Sequence, residues 1–484
     1  MKVLIGALVL LFFTWSAHAQ EASVQTLTLD ECVDIALENN LNIKRGELNL
    51  EDQEITLKQN RFNQLPNLNV GGNYGYNWGR SIDPTTNLFI SQRIGFTGLS
   101  GNTNWVLFNG MQVRKSIEQS QVDLQARTYD LERAKNDAIL AVVDAYLTVI
   151  FNEEQLENAR FQIQSTNEQL IRTTKLVNAG SLPITNKLNL ESQLATDELN
   201  LVQNENNLAL SLLNLKQLLL LPVETQIDVY KPEIAMDLEL SLSEKASEIY
   251  STAEQLMPEI KSADLTIRSA DLGYRIAQGG RYPSLSVNGQ FSTNYSSAAN
   301  RERRVFDGTE TVLLQTGFLT DDPGTTVSSF VEQPRVVEVR PDFQLGDQFS
   351  DNFSRSLSLN LSIPVFNRWQ TEAGVQRSKI NQQRAQITAQ ETRNQLRQNI
   401  ETAYNDALAA SKSYSASTKQ VEALQESFRI TQNQYDLGAV NFTDFQVANN
   451  NLVQAKSDLI RAKYQYLFRL KILDFYQGKP LTIE

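Results

Sequence analysis

Histidine is almost missing from this sequence. Of 484 residues only His18 is one, and it stands in the N-terminal apolar stretch. Cysteine is equally scarce, Cys32 being the sole example. These absences exclude chemistry. Histidine general bases, serine- or cysteine-type triads and the common zinc sites all need an imidazole. One thiol closes no internal disulfide and builds no thiolate cluster. Neither a glycine-rich phosphate loop nor a metal-ligand spacing occurs, so no catalytic, cofactor or metal site is expected, and the chain is expected not to be an enzyme. Basic charge is also in deficit: 44 Lys and Arg against 56 Asp and Glu leave a net charge of −12. A nucleic-acid partner, which requires a basic face, is therefore not expected.

Glycine and proline are absent over long stretches, and this absence is constructive. None occurs from Met111 to Ala179, and after Gly180-Ser181-Leu182-Pro183 none occurs from Ile184 to Leu221. The pattern returns displaced by 258 residues, free of both from Val375 to Leu437 and from Ala439 to Gln477, with Phe108-Asn109 answered by Phe366-Asn367 and Gly180 by Gly438. The first stretch, 69 residues long, would be roughly 100 Å of helix at 1.5 Å per residue. The expectation is two very long helical hairpins, 110–221 and 369–477. Val149, Leu156, Ile163, Leu170 and Val177 recur every seven residues, as do Leu194, Leu201, Leu208 and Leu215, answered by Leu452, Leu459, Tyr466 and Leu473. Such spacing marks coiled-coil seams. The faces between them carry Gln, Asn, Ser and Thr, as suits either a water-filled duct or a solvated rod.

Strand signals precede each hairpin. After Pro66, Leu68, Val70, Gly72, Tyr74, Tyr76 and Trp78 alternate with Asn67, Asn69, Gly71, Asn73, Gly75 and Asn77; after Pro283, Leu285, Val287, Gly289 and Phe291 alternate with Ser284, Ser286, Asn288 and Gln290. Period two means strand. With segments at 93–108 and 354–366, four strands are expected, about 67–78, 93–108, 284–296 and 354–366. An apolar face, a small polar face and terminal aromatics suit either an outer-membrane barrel or a soluble sandwich. Met1 to Ala19 supplies a charged start, a short apolar core and a small-x-small ending, the form of a removed secretory signal, which favours the membrane. Four strands cannot close a barrel, the smallest of which hold about eight, so several chains would share one. The expected division is a signal at 1–19, a first repeat at 20–240 and a second at 241–484, with strand tips across the membrane from the helices. The long tip, about Ser297 to Ser350, has no assigned role.

Taken together, Leu27-Thr28-Leu29-Asp30-Glu31-Cys32 through Asn40, the strand lead-in Gln64-Leu65-Pro66-Asn67-Leu68, and the turns Lys175 to Thr185 and Tyr435 to Asp444 resemble the TolC family of outer-membrane efflux and secretion ducts. The resemblance covers nearly all of the chain past the signal. It implies a mainly α protein with a membrane β-barrel part: two tandem repeats of a coiled-coil hairpin plus two strands, assembling as a homotrimer into a 12-strand β-barrel and a 12-helix tunnel. It implies outer-membrane lipid, a periplasmic adaptor and, through the adaptor, an inner-membrane transporter as partners. The function implied is a passive exit duct of a tripartite efflux pump or type I secretion system. By position, Tyr435, Asp444 and Asn186 fall at the periplasmic gate. Gly180, Ser181, Leu182, Pro183, Leu437, Gly438, Ala439 and Val440 form adaptor-contacting tips, and Tyr74, Tyr76, Trp78, Trp105 and Trp369 are interface aromatics. Family members carry an arginine and an aspartate where this chain has Val440 and Val447, and the first-tip counterpart of Asp444 is Asn186 rather than an acid, which implies a less ionic lock. From local rules alone, Gly180 and Gly438 suit helix C-termini, and Thr185 and Thr443 suit helix N-caps. A secreted or periplasmic coiled-coil scaffold or adaptor without a pore is the competing expectation.

Overall fold

The computed structural model describes residues 25–82, 89–91, 93–231, 245–297, 299, 303–318, 326–339 and 344–479. The expected signal at 1–19 and parts of both strand tips lie outside the described residues. Contacts divide the chain into two compact units, each drawing on both halves of the sequence. One is helical (Met1–Leu57, Gln119–Asp271, Ile380–Glu484) and the other carries the main sheet (Lys58–Glu118, Leu272–Lys379).

Short elements open the helical unit: β1 (Gln25–Leu27), α1 (Leu29–Asn39) and α2 (Leu41–Phe62). Of the stretch from Leu27 to Asn40, which in the TolC-family resemblance corresponds to the first periplasmic helix, Leu27 is a strand residue and the helix begins at Leu29. The helix starts later because Thr28 caps it, its Oγ1 accepting from Glu31 N at 3.3 Å while the Glu31 carboxylate accepts from Thr28 N at 2.8 Å. Asn40 ends α1 and begins α2, accepting from the N–H groups of Asn42 and Ile43. The long helices are α3 (Gln112–Asn178) and α4 (Ile184–Leu218), with β6 (Ile227–Val229) following. After α5 (Ala246–Leu256) and α6 (Pro258–Gly279), a second pair follows far along the chain. Proline at the first position of α6 gives up no helical bond, since that N–H has no partner there.

β1 and β6 pair in parallel, 202 positions apart in register at Gln25 and Ile227. Two three-residue strands are too short to show alternation, and the sequence reading missed them. Tyr146 on α3 secures the pair by donating its hydroxyl to Tyr230 O at 2.5 Å and Leu27 O at 3.3 Å. Around them lies the main core, in which Cys32, Val142, Val149, Ile150, Leu215 and Leu467 are buried. A second core joins Ile249, Ala253 and Met257 to Ile400, Ala403, Ala407 and Leu473.

The sheet unit holds β2 (Asn69–Asn77), β5 (Ile94–Asn109), β7 (Ser284–Ser296) and β10 (Ser354–Ser362), all antiparallel neighbours in the order β10-β7-β5-β2. These fall at the four expected strands: β7 coincides with its range, β5 is shifted by one residue, and β2 and β10 are shorter than expected. Four strands are not the whole count, however. The first tip carries a hairpin of β3 (Arg80–Ile82) and β4 (Phe89–Ser91), and the second a longer one of β8 (Arg303–Phe318) and β9 (Thr326–Val339), followed by α7 (Leu345–Asp351). Both hairpins lie in stretches whose charge and turn residues hide any alternation.

Register turns the alternation of single strands into a property of the sheet. Val70 faces Gly101 and Gly101 faces Phe291; Trp105 faces Val287 and Val287 faces Leu359. One surface therefore collects Val70, Tyr74, Leu99, Trp105, Val287, Leu357, Leu359 and Leu361, and the other collects Asn69, Asn73, Ser100, Asn102, Asn288, Ser358 and Asn360. The apolar surface stays largely open, with Leu357 79% exposed.

Two more long helices complete the chain, α8 (Gln370–Asp436) and α9 (Phe442–Tyr476). α3 and α8 hold 67 residues each, and α4 and α9 hold 35 each. Both strand-to-helix corners use two consecutive left-handed residues, Gly110 and Met111 (φ 66° each) and Arg368 and Trp369 (φ 55° and 65°). A Cβ at Gly110 would strike the carbonyl oxygen of Gly279, so that corner needs glycine.

Candidate functional site: the two helical tips

Each hairpin turns within a few residues because its glycine takes the left-handed conformation. At the first tip Gly180 has φ 73°, Gly180 N donates to Val177 O and Ser181 N to Leu176 O, both at 2.9 Å. At the second, Gly438 has φ 72°, Gly438 N donates to Tyr435 O at 2.9 Å and Ala439 N to Gln434 O at 2.8 Å. These paired bonds satisfy the last carbonyls of α3 and α8. The following helices are not capped by Thr185 and Thr443, which lie one residue inside them. Pro183 and Asn441 hold the cap positions, and Asn441 Oδ1 accepts from Asp444 N at 2.9 Å. Proline presets the turn at one tip, and an amide side chain reaches the orphan N–H at the other.

Leu182 and Val440 are half-buried, while Ser181, Pro183 and Ala439 are exposed. Leu437 stands 85% exposed. The apex therefore presents an apolar side chain without a partner in the protomer.

Behind the apices lies an aromatic cluster. Tyr435 stacks on Phe445 with ring centroids 4.9 Å apart and meets Phe442 edge-on at 6.0 Å; Leu190 is buried against both phenylalanines, with Leu170 and Phe428 alongside. Helices of both hairpins contribute. The Tyr435 hydroxyl is buried beside Thr173 and Asn186, neither of which meets it in full hydrogen-bonding geometry. Burial pushes the phenol's pKa up, and the two polar neighbours work against that rise. Of the sequence-expected residues, Tyr435 and Asn186 are thus brought together. Asp444 is not part of the cluster: it occupies the first turn of α9, exposed, where the helix dipole favours a carboxylate.

Two features escaped the sequence. Arg172 Nη1 lies 3.1 Å from Asp436 Oδ1 and ties α3 to α8, an ion pair at positions with no special signal. Along α3 the seven-residue comb also fails as a guide to burial beyond Leu156, because the buried positions become Gln162, Thr166 and Thr173 while Ile163, Leu170 and Val177 are only half-buried. Polar side chains in helices read as solvated in a sequence, and only the packed neighbours reveal a buried one.

The expected interface aromatics occupy both ends of the sheet. Tyr74, Tyr76 and Trp78 form a run of ring contacts, 5.4 and 6.0 Å between centroids. Trp105 lies beyond the other end of β2, with Nε1 donating to Gln64 O at 2.9 Å. Trp369 sits at the second strand-to-helix corner and is exposed. Among the described residues no group of carboxylates, thiols or imidazoles is arranged to hold a metal ion.

The chain thus combines a four-strand sheet of one apolar and one small-polar surface with two pairs of long helices. The chain belongs to the outer membrane efflux protein family, whose sequence profile matches residues 32–219 and 249–479. It is 21% identical to the outer membrane protein TolC of Escherichia coli (strain K12) over 412 residues, 83% of this chain and 72% of that protein. It is 19% identical to the outer membrane efflux protein BepC of Brucella suis over 465 residues, 96% of this chain and 87% of that protein. Among solved structures, VceC of Vibrio cholerae superposes with a TM-score of 0.72 at 14% identity, covering 94% of this chain and 97% of its own, and CusC with a TM-score of 0.72 at 15% identity, covering 93% and 92%. The protein is an outer-membrane protein of the efflux-channel class.

Proposed function

We propose that this chain is one third of a trimeric exit duct that works with a periplasmic adaptor and an inner-membrane transporter. The observation that carries the reading is the sheet: an apolar surface continuous across four strands, with β2 and β10 both left as edges. Unpaired edges are templates for another chain. Because the order alternates in direction over an even number of strands, β10 of one copy meets β2 of the next antiparallel, and closure introduces no break in the pattern. Two copies would give eight strands, whose interior side chains fill. Three give twelve and leave a lumen lined by Asn, Ser and Gly. From the level of Gly95 to Trp105 is ten residues of β5, roughly 33 Å of strand, or about 25 Å of height at a tilt near 40°, which agrees with the usual apolar band between aromatic girdles. Tyr74, Tyr76 and Trp78 would mark one girdle, Trp105 and Trp369 the other.

The four long helices of each copy would then supply a twelve-helix tunnel, closed at the tips by the packing of Tyr435 with Phe442, Phe445 and Asn186, with Asp444 lining the aperture. The adaptor would dock on Gly180 to Pro183 and Leu437 to Val440, covering Leu437. The native mass of the protein extracted in detergent from outer membranes tests this reading. A species of three protomers that conducts ions in a planar bilayer is expected; a monomer or dimer released without detergent would instead indicate a coiled-coil scaffold.

A further inference from the structure

The first hairpin buries one carboxyl group in its seam. Asp197 on α4 is 4% exposed. Its Oδ2 accepts from Thr166 Oγ1 at 2.6 Å and Gln162 Nε2 at 3.4 Å, both from α3, and its Oδ1 accepts from Gln193 Nε2 at 2.9 Å. The chain of bonds continues out of the hairpin, because Gln446 Nε2 on α9 donates to Gln193 Oε1 at 2.7 Å. No lysine or arginine pairs with Asp197 among the described residues. The corresponding position of the second hairpin, 258 residues on, is Ala455, which is buried. A methyl group therefore satisfies the same kind of seam, and packing alone does not call for an acid. A buried carboxyl without a cation is costly relative to an apolar residue, and a lone polar layer in a helical seam is best known for specifying alignment.

The tight turn at Gly180 already sets α3 against α4. No such turn connects α4 to α9: on the tip side of the layer Leu190 packs against Phe442 and Phe445, and the other bonds between the hairpins leave from α3, Arg172 to Asp436, the Gln155 and Asn158 amides to Ser457, and Glu154 to Lys463 and Tyr464. We propose that Asp197 is a positioning residue between hairpins: by holding the Gln193 amide it presents Gln193 Oε1 to Gln446 and fixes the axial register of α4 against α9, a pair between the two hairpins that the bonds from α3 do not set. That register sets Tyr435 beside Asn186, so the consequence for closure rests on the channel reading, whereas the register itself does not.

Spin labels on the exposed Glu198 of α4 and Asn450 of α9, in protein diluted with unlabelled subunits, read the register directly by pulsed dipolar spectroscopy. Wild type and Asp197→Asn should give one narrow distance. Asp197→Leu should broaden it or shift it by several ångström without lowering the thermal midpoint, and should raise closed-state conductance several-fold. Gln446→Leu, which leaves Asp197 bonded, should reproduce the broadening if Asp197→Leu fails to fold. An unchanged narrow distance in Gln446→Leu or in folded Asp197→Leu overturns the proposal. Altered distances in a protein that never conducts would uphold the register and overturn the channel reading instead.

Discussion

Cys32 shows what burial does to a single group. It is 0% exposed, and the loss of water, with a smaller contribution from the Glu31 charge, pushes its thiol from 9.0 to about 12. Below about pH 9 the thiol is protonated in folded and unfolded chains alike, and this contribution to stability is whole. Above that the unfolded chain releases a proton that the folded one keeps, so stability falls as pH rises toward 12, by up to about 1.4 kcal/mol per pH unit. The buried hydroxyls of Tyr146 and Tyr464, also pushed up chiefly by burial, act in the same direction at higher pH. Denaturation midpoints between about pH 8 and about pH 11 should therefore decline, and less steeply in Cys32→Ala; identical slopes would mean that the thiol is solvated. The scarcity of cysteine was plain in the sequence, and its burial was not. Gly180 and Gly438 were legible because the left-handed turn after a long helix is a local demand. Asp197 was illegible because nothing within its own helix distinguishes a buried aspartate from a wet one.

At the scale of elements, the long helices were legible from the absence of glycine and proline, since no other regular structure runs so far uninterrupted. β1 and β6 were not, because three residues carry no period and the partner of each lies far along the chain. The tips test how much an element end contributes. Nothing lies within 4 Å of a Cβ built on Gly438, so Gly438→Val meets only backbone strain at φ 72°, about 1–2 kcal/mol. That is too little to unfold two helices of 67 and 35 residues, yet it distorts the apex beside Leu437. Trimers of Gly438→Val should assemble at normal native mass while export fails. Undiminished export would place the adaptor contact elsewhere.

At the scale of the molecule, the two surfaces of the sheet make opposite demands. Leu359 and Asn360 are neighbours in β10 on opposite surfaces. Leu359→Arg would put a cation against lipid at about 2–4 kcal/mol per copy near the midplane, whereas Asn360→Arg would face a wet lumen. Recovery of heat-stable trimer from outer membranes should collapse for the first and hold for the second; equal recovery would reverse the assignment of the surfaces. Composition and periodicity, acting through neighbours along the chain, sufficed to determine the scarcity of histidine and cysteine, the long hairpins, the four alternating strands and the glycine turns. The tertiary structure alone decided the strand order β10-β7-β5-β2, the alignment of apolar residues across it, the meeting of Tyr435 with Asn186 and the bond from Gln193 to Gln446. Each of these joins residues far apart in sequence, and such pairings depend on which backbone and side-chain groups satisfy one another in space, which no local period encodes.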